Sequence, residues 1–297
     1  MSLTRVEGFR DMGRSQPGRL QRPHVTPTDE ELLAALQAGD ERALGVLLER
    51  HLPAVYRFGV KMCRDPVDAK DVVQDTLLAA ARGLHEFRGA SALSTWLFAI
   101  ARSFCIKKRR TRVGTPREFV SLDSEDARGI AANASAPDET AGDHEFSKAL
   151  DAAIADLEPM YREVLILRDV EGLTAPEVAQ VLGVGIDAVK SRLHRARVSV
   201  RARLAPLLET ADAPAAQGCP DIVPIFSRYV EGEIGPDECA SMQAHVDSCP
   251  RCRDACGALK KTLALCRTKS HDGAVPSDVQ ALVRKALREL AAIQAGP

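Results

Sequence analysis

APEVAQVLGVGIDAVKSRLHRARVSVRAR, which runs from Ala175 to Arg203, reads as a short helix, a glycine-containing turn and a strongly basic second helix. Thr174 is placed as a side-chain N-cap, Pro176 falls in the first turn, and Glu177 follows the cap by three residues, as in a capping box. A first helix is therefore expected over 175–182, burying Val178, Ala179 and Leu182. Gly183-Val184-Gly185 supplies the turn. The second helix, from about Ile186, carries Val189 and Leu193 inward and leaves Lys190, Arg192, Arg195, Arg197, Arg201 and Arg203 for the solvent side. Six cations against one acid, Asp187, make a footprint for phosphates. A basic helix alone would suit the wet face of any bundle. Behind a capped helix and a glycine turn it has helix-turn-helix order, in which the second helix enters the major groove of duplex DNA.

Upstream, FRGASALSTWLFAIARSFCIKKRRTR, Phe87 to Arg112, sets the only tryptophan and three phenylalanines before Lys107, Lys108, Arg109, Arg110 and Arg112. Aromatic rings beside cations suit single-stranded or melting DNA, whose unstacked bases stack on rings while phosphates pair with Lys and Arg. The steps between Trp96, Leu97, Ile100 and Phe104 are also those of a buried helix face. Most of these side chains are expected in a core, with Trp96 shared between packing and DNA. A further helix begins after Thr28-Asp29, with Leu32, Leu33 and Leu36 on one face and Gly39 as its stop. Strand-like alternation is hard to find anywhere, so the expected fold class is all-α.

At 297 residues the chain has room for two or three domains, and 45% apolar residues let each bury a core although aromatics are only 4%. The formal net charge of −1 hides the local basic blocks. Glu118 to Glu145 holds eight acids and one arginine among Ala, Ser and Pro, the composition of a flexible linker between basic domains. The leader to about Pro27 is rich in Arg, Gly and Pro and lacks the apolar core of a signal peptide. No stretch approaches the roughly 20 apolar residues of a membrane span. A cytoplasmic protein without membrane contact is expected.

Two segments carry a family resemblance. DAKDVVQDTLLAAARGLHEFRGASALSTWLFAIARSFCIKKRR, Asp68 to Arg110, resembles region 2 of the extracytoplasmic-function (ECF) class of bacterial sigma factors, in the sigma-70 family. LEPMYREVLILRDVEGLTAPEVAQVLGVGIDAVKSRLHRARVSVR, Leu157 to Arg201, resembles their region 4, and the two stand in the family's order and separation. The resemblance covers about Asp29 to Leu204 and implies an alternative-type sigma factor. Region 2 would bind the β′ clamp helices of core RNA polymerase and capture the melted −10 promoter element; region 4 would read the −35 element. Carried over by residue, Asp68, Asp71, Val72, Gln74 and Asp75 fall on the polymerase-facing helix. Arg88, Trp96, Ser103, Lys107 and Arg109 fall on the −10 surface, built from the 88–94 loop and a helix beginning near Thr95. Ser103 departs from the pattern, since many relatives carry Asn there. Lys190, Ser191 and Arg192 match −35 base and backbone contacts, and Arg195 and Arg197 match phosphate contacts. The residues alone do not assign which cation meets a base. No enzymatic activity is implied.

Of eight cysteines, Cys63 and Cys105 fall within the first of these segments and six crowd between Cys219 and Cys266. In a reducing compartment such crowding favours metal or redox chemistry over a disulfide framework. HVDSCPRC, His245 to Cys252, has H-x3-C-x2-C spacing. One helical turn separates His245 from Cys249, and the C-x2-C knuckle folds Cys252 back to the same point, so a fourth ligand would close a tetrahedral site for Zn²⁺. Cys219, 26 positions before His245, together with YVEGEI at Tyr229 to Ile234, resembles the zinc-binding anti-sigma domain that normally occurs as a separate protein. The resemblance implies Cys219, His245, Cys249 and Cys252 as a zinc-finger set. Cys239, Cys256 and Cys266 remain as additional metal or redox candidates. Surplus soft ligands also resemble the cysteine-rich tails of metal-responsive sigma factors of this class, where copper, cadmium or zinc sets activity. Metal sensing, a structural zinc with redox-active neighbours, and incidental thiols all stay open.

Past Pro276-Ser277, a last helix aligns Val279, Leu282, Val283, Ala286, Leu287 and Leu290 in one apolar stripe. Separate anti-sigma factors pack a comparable helix on sigma domains, which here would be an intramolecular sigma/anti-sigma contact. A helix that closes the small metal domain is the plainer expectation, because few residues remain to build that core. The expected organisation is a disordered leader over 1–27, region 2 over 28–112, an acidic linker over 113–145, region 4 over 146–208, a short linker over 209–218 and the anti-sigma-like domain over 219–297. The expected function is promoter-specific transcription initiation, modulated through the tail by metal or redox state. Two other classes compete. A metal-responsive helix-turn-helix repressor would need no region 2 and would dimerise on a palindrome. A zinc hydrolase would need an open metal position and a nearby base, whereas three Cys and one His make a closed set.

Overall fold

The computed structural model of the chain describes residues 26–114, 141–207, 219–269 and 274–294. Most of the leader, the acidic linker at 115–140 and the 209–218 linker lie outside the described residues. Every regular element among the described residues is helical, as expected, and the helices fall into three successive sets.

The first set starts with α1 (Asp29–Gln37), opened by a capping box between Thr28 and Glu31 and followed by Gly39, whose φ of +97° turns the chain. α2 (Glu41–Cys63) is capped by Asp40 and ends at Arg64, which takes up a left-handed φ of 62°. Asp65 then caps α3 (Pro66–Gly83), with Pro66 at its first turn, where a missing N–H costs nothing. A 3-10 turn, Leu84–Glu86, leads to α4 (Leu93–Gly114), which starts slightly earlier than Thr95. Leu47, Leu48, Phe58, Val72, Val73 and Leu97 are at most 1% exposed where these helices meet. Trp96 is half-buried, with its ring 5.3 Å from that of Phe87. Gly83 makes room for it: a Cβ at that position would come within 3.0 Å of Trp96 Cζ2.

α5 (Ala141–Ala155), α6 (Pro159–Leu165), a π-helical turn (Ile166–Val170), α7 (Ala175–Leu182) and α8 (Ile186–Leu204) form the second set. α7 begins and ends where local sequence rules put it. Thr174 and Glu177 form the capping box, and Gly183, at φ +66°, accepts the left-handed C-cap conformation that a Cβ would strain. Val178, Leu182, Val189 and Leu193 are buried as the sequence predicts.

α9 (Ile222–Val230), α10 (Pro236–Ser248) and α11 (Pro250–Thr268) make a small core of their own from Ile222, Val223, Phe226, Met242, Leu259 and Leu263, joined by Cys249, Cys252 and Cys256. The last helix, α12 (Ser277–Gln294), does not close this core. Val279 and Val283, each 1% exposed, belong to the main cluster formed with the first two sets, and α12 packs on α3. The expectation of a helix closing the metal domain is thus corrected: the three-helix core is complete without α12, and the apolar stripe finds its partner on the first set. Burying each valine is worth about 1.5 kcal/mol or more by the area scale. Ion pairs flank the contact, Lys70 with Asp278 at 2.6 Å and Arg284 with Glu49 at 3.0 Å.

The first and second sets also pack on each other, α4 against α7. Arg102 on α4 meets Glu163 on α6 at 2.8 Å, and Arg57 on α2 meets Glu171 at 2.8 Å. In both pairs the carboxylate side chain is at most 8% exposed, so each guanidinium offsets a desolvation cost.

Candidate functional site

The metal-ligating residues are positioned by helix ends. Cys219 lies just before α9, His245 sits in the last turn of α10, Cys249 is the junction of α10 and α11, and Cys252 lies in the first turn of α11. Pro250 makes the sharp restart possible, because the first turn of a helix needs no N–H from it. The four donor atoms all lie within 4.8 Å of one another. Cys219 Sγ is 3.5 Å from His245 Nε2, 4.0 Å from Cys249 Sγ and 3.1 Å from Cys252 Sγ, and His245 Nε2 is 3.2 Å from Cys252 Sγ. Donors at about 2.0–2.3 Å from a tetrahedral Zn²⁺ stand about 3.5–3.8 Å apart, so these separations bracket the edges of such a site. Three thiols and one imidazole fit zinc in chemistry as well as in spacing.

The local fields differ around the set. The backbone N–H of Cys252 holds the Cys249 thiol below its usual range, while burial pushes the Cys252 thiol up to about 12. Cys239, Cys256 and Cys266 stand outside the donor cluster. Cys256 is 4% exposed in the three-helix core, and burial raises its thiol. Cys266 is 1% exposed in the main core, where burial pushes its thiol up to about 12.

The basic helix α8 presents most of its expected cations outward. Ser191 and Arg195 are exposed, Lys190 and Arg192 are half-buried, and an Arg195 Nη1–H donates to the Tyr161 hydroxyl at 3.3 Å. Arg197 departs from the solvent side that the sequence assigns to it. It is 2% exposed, with Nη2 donating to Asp169 at 2.6 Å and to Glu231 at 2.7 Å, and Nη1 donating to the Ser227 hydroxyl at 2.9 Å. Its guanidinium is therefore shared between the π-helical turn of its own set and the α9 end of the metal-ligating set. Arg168 adds a second cation to Glu231 at 2.8 Å. Two residues farther along the tail, Glu233 takes Lys190 at 2.9 Å.

Glu231 and Glu233 flank Gly232, whose φ of +71° makes the turn after α9. Sequence reasoning read YVEGEI only as a motif and missed both acids as contacts. Two acids two residues apart beside a glycine were the available signal, but nothing local names their cations.

On α3, Val72 is fully buried, Asp75 is exposed, and Asp68, Asp71 and Gln74 are half-buried. Asp71 takes Lys108 of α4 at 2.5 Å, and the fields of Asp68 and Asp75 also favour the Lys108 cation. Along α4, Ser103, Lys107 and Arg109 are exposed, as is Arg88 in the preceding loop. On α4, Trp96, Ser103 and Lys107 fall on one face by helical spacing, whereas Arg109, two residues past Lys107, points to another side. The Ser103 hydroxyl donates back to the Ile100 carbonyl at 2.7 Å.

The Sigma-70 region 2 family matches residues 47–114, the family described as Sigma-70, region 4 matches 147–200, and that described as "Putative zinc-finger" matches 219–253. The chain is 30% identical over 187 residues to RNA polymerase sigma-H factor of Pseudomonas aeruginosa, covering 62% of this chain and 97% of that protein. It is 35% identical over 181 residues to ECF RNA polymerase sigma factor SigM of Mycobacterium tuberculosis, covering 61% of this chain and 85% of that one. A solved structure of CnrH in complex with the cytosolic domain of CnrY is 26% identical and covers 60% of this chain and 97% of that one, with a TM-score of 0.43. No helix among the described residues is long and apolar enough to cross a membrane. With region 2 and region 4 in order and a closed Cys3His donor set behind them, the chain belongs to the ECF class of RNA polymerase sigma factors and carries an anti-sigma-like zinc-finger domain fused at its C-terminus.

Proposed function

We propose that this sigma factor is held shut by its own C-terminal domain and that a metal or redox signal at Cys219, His245, Cys249 and Cys252 releases it. As a sigma factor the chain directs RNA polymerase to specific promoters for transcription initiation, with core polymerase and promoter DNA as partners, and it catalyses no reaction itself. The modulation rests on one observation: the C-terminal tail touches both working regions at once, its donor-set core through Glu233 on Lys190 and its last helix, α12, on α3. Lys190, Ser191, Arg192 and Arg195 are the proposed −35 contacts; Arg88, Trp96, Ser103, Lys107 and Arg109 the −10 contacts; Asp68, Asp71, Val72, Gln74 and Asp75 the polymerase contacts. Arg197 serves instead as the buried anchor between region 4 and the tail.

Zinc bound by the four residues would tie the start of α9, the end of α10 and the start of α11 to one point, which keeps Glu231 and Glu233 in register with region 4. Oxidation of the thiols, or exchange for a softer metal such as copper, would loosen that register. Metal favours whichever state binds it better, so the sign follows from which arrangement preserves the donor set. The test is promoter-directed transcription by core polymerase with the full chain and with a chain ending at Ala213, each with and without zinc or copper. The latch requires that the shortened chain initiates and that the zinc-loaded full chain does not. Initiation by the zinc-loaded full chain alone would make the tail an activator and overturn the proposal. Changing Cys249 and Cys252 to Ser should release the full chain, raising its initiation to the level of the shortened chain.

A further inference from the structure

We infer that Cys63 and Cys105, in region 2 and remote in sequence from the zinc-finger set, form a second oxidation site that closes to an intramolecular disulfide. Cys63 ends α2 and is half-buried; Cys105 lies in α4 and is 7% exposed; their sulfurs stand 3.5 Å apart. A disulfide needs about 2.05 Å, so closure brings the two sulfurs, on helices that already pack on each other, nearer by about 1.5 Å. The end of α2 is fixed in place by Arg64, whose left-handed conformation stops the helix immediately after Cys63. Arg64 follows Cys63 and Arg109 lies one turn beyond Cys105, where the field of Arg109 on the Cys105 sulfur is opposed by that of Glu163. The Cys63 hydrogen bond and burial hold Cys105 itself above the usual thiol range, which leaves the more accessible Cys63 as the first to react.

The co-reactant is a hydroperoxide. Cys63 sulfur attacks one peroxide oxygen, the O–O bond breaks, and the other oxygen leaves as an alcohol or water with the thiol proton. Cys105 sulfur then attacks the Cys63 sulfenic acid; the S–O bond breaks and hydroxide leaves as water with the Cys105 proton. Two thiols supply two electrons, and one peroxide accepts them.

The location gives the cross-link a consequence. Met62, beside Cys63, offers its carbonyl to Arg162 of region 4 at 3.4 Å, and Arg102, one turn before Cys105, holds Glu163. The disulfide would staple the two region 2 helices from which region 4 is gripped, and it would do so without using any zinc ligand.

The zinc-loaded full chain is treated with one equivalent of hydrogen peroxide, alkylated with iodoacetamide in denaturant, digested and mapped by mass spectrometry, while released zinc is followed with a chromogenic chelator. The Cys63 and Cys105 peptides should appear joined, two hydrogens lighter, and unlabelled. The oxidised chain should melt several degrees higher, reversed by dithiothreitol, because the cross-link restricts the unfolded chain. Cys63→Ser and Cys105→Ser should each abolish the joined peptide and leave zinc release unchanged. Full alkylation of both residues while the zinc ligands oxidise would overturn the inference, as would a joined peptide that forms only between two molecules. The wild-type map alone decides the matter if either variant folds poorly.

Discussion

Asp169 and Glu231 share the Arg197 guanidinium but belong to different parts of the chain, and their removal should separate stability from control. Asp169→Ala leaves a 2% exposed cation with Glu231 as its remaining carboxylate, so the chain should lose about 1.5–3 kcal/mol, measured by urea unfolding. Glu231→Gln keeps the shape and the Asp169 pair but weakens the tie to the tail. Full-length binding to a −35 duplex should then rise about tenfold, about 1.4 kcal/mol, at constant salt. Unchanged binding would mean that this contact does not limit opening. The inward turn of Arg197 was not legible in sequence. Counting cations along α8 gives a face, but the acid that captures Arg197 lies on a π-helical turn and the second in another set of helices. By contrast Thr174, Glu177 and Gly183 act on backbone groups within a few residues, so α7 could be read to its ends.

At the level of elements, the donor set was legible because metal ligation imposes spacing: one turn from His245 to Cys249 and a knuckle to Cys252. The role of α12 was not, since an apolar stripe states that something must cover it and never what. Val279→Asp puts a charge into the α12 and α3 contact, where Val279 is 1% exposed. The helix should leave α3, affinity of the full chain for core polymerase should rise at least tenfold in a pull-down titration, and the zinc content should stay at one per chain. A gain equal to that of the chain ending at Ala213 would assign the whole polymerase block to this helix. No gain would place the block elsewhere in the tail.

On the scale of the whole molecule, the first two sets of helices share ion pairs and a continuous core, and the third keeps a core of its own and meets them through ion pairs such as Arg197 with Glu231. Charge patterning showed where the chain is basic or acidic, but long-range pairs such as Arg57 with Glu171 depend on packing that no window of sequence contains. Removing zinc with a chelator should melt the small core around Phe226 and Leu259 first and leave the region 2 core intact. Hydrogen exchange would show early loss of protection in α9 to α11, and uniform loss across α2 and α8 would refute separate cores. The contact of Glu233 with Lys190 lies within one polypeptide, so under the proposed latch synthesis of the factor would always deliver its restraint in equal dose. A cell that made more of this protein would not thereby outrun an inhibitor, as it would with a separate partner. Output would depend on the fraction of molecules that have met the signal, and expression level would set only the ceiling.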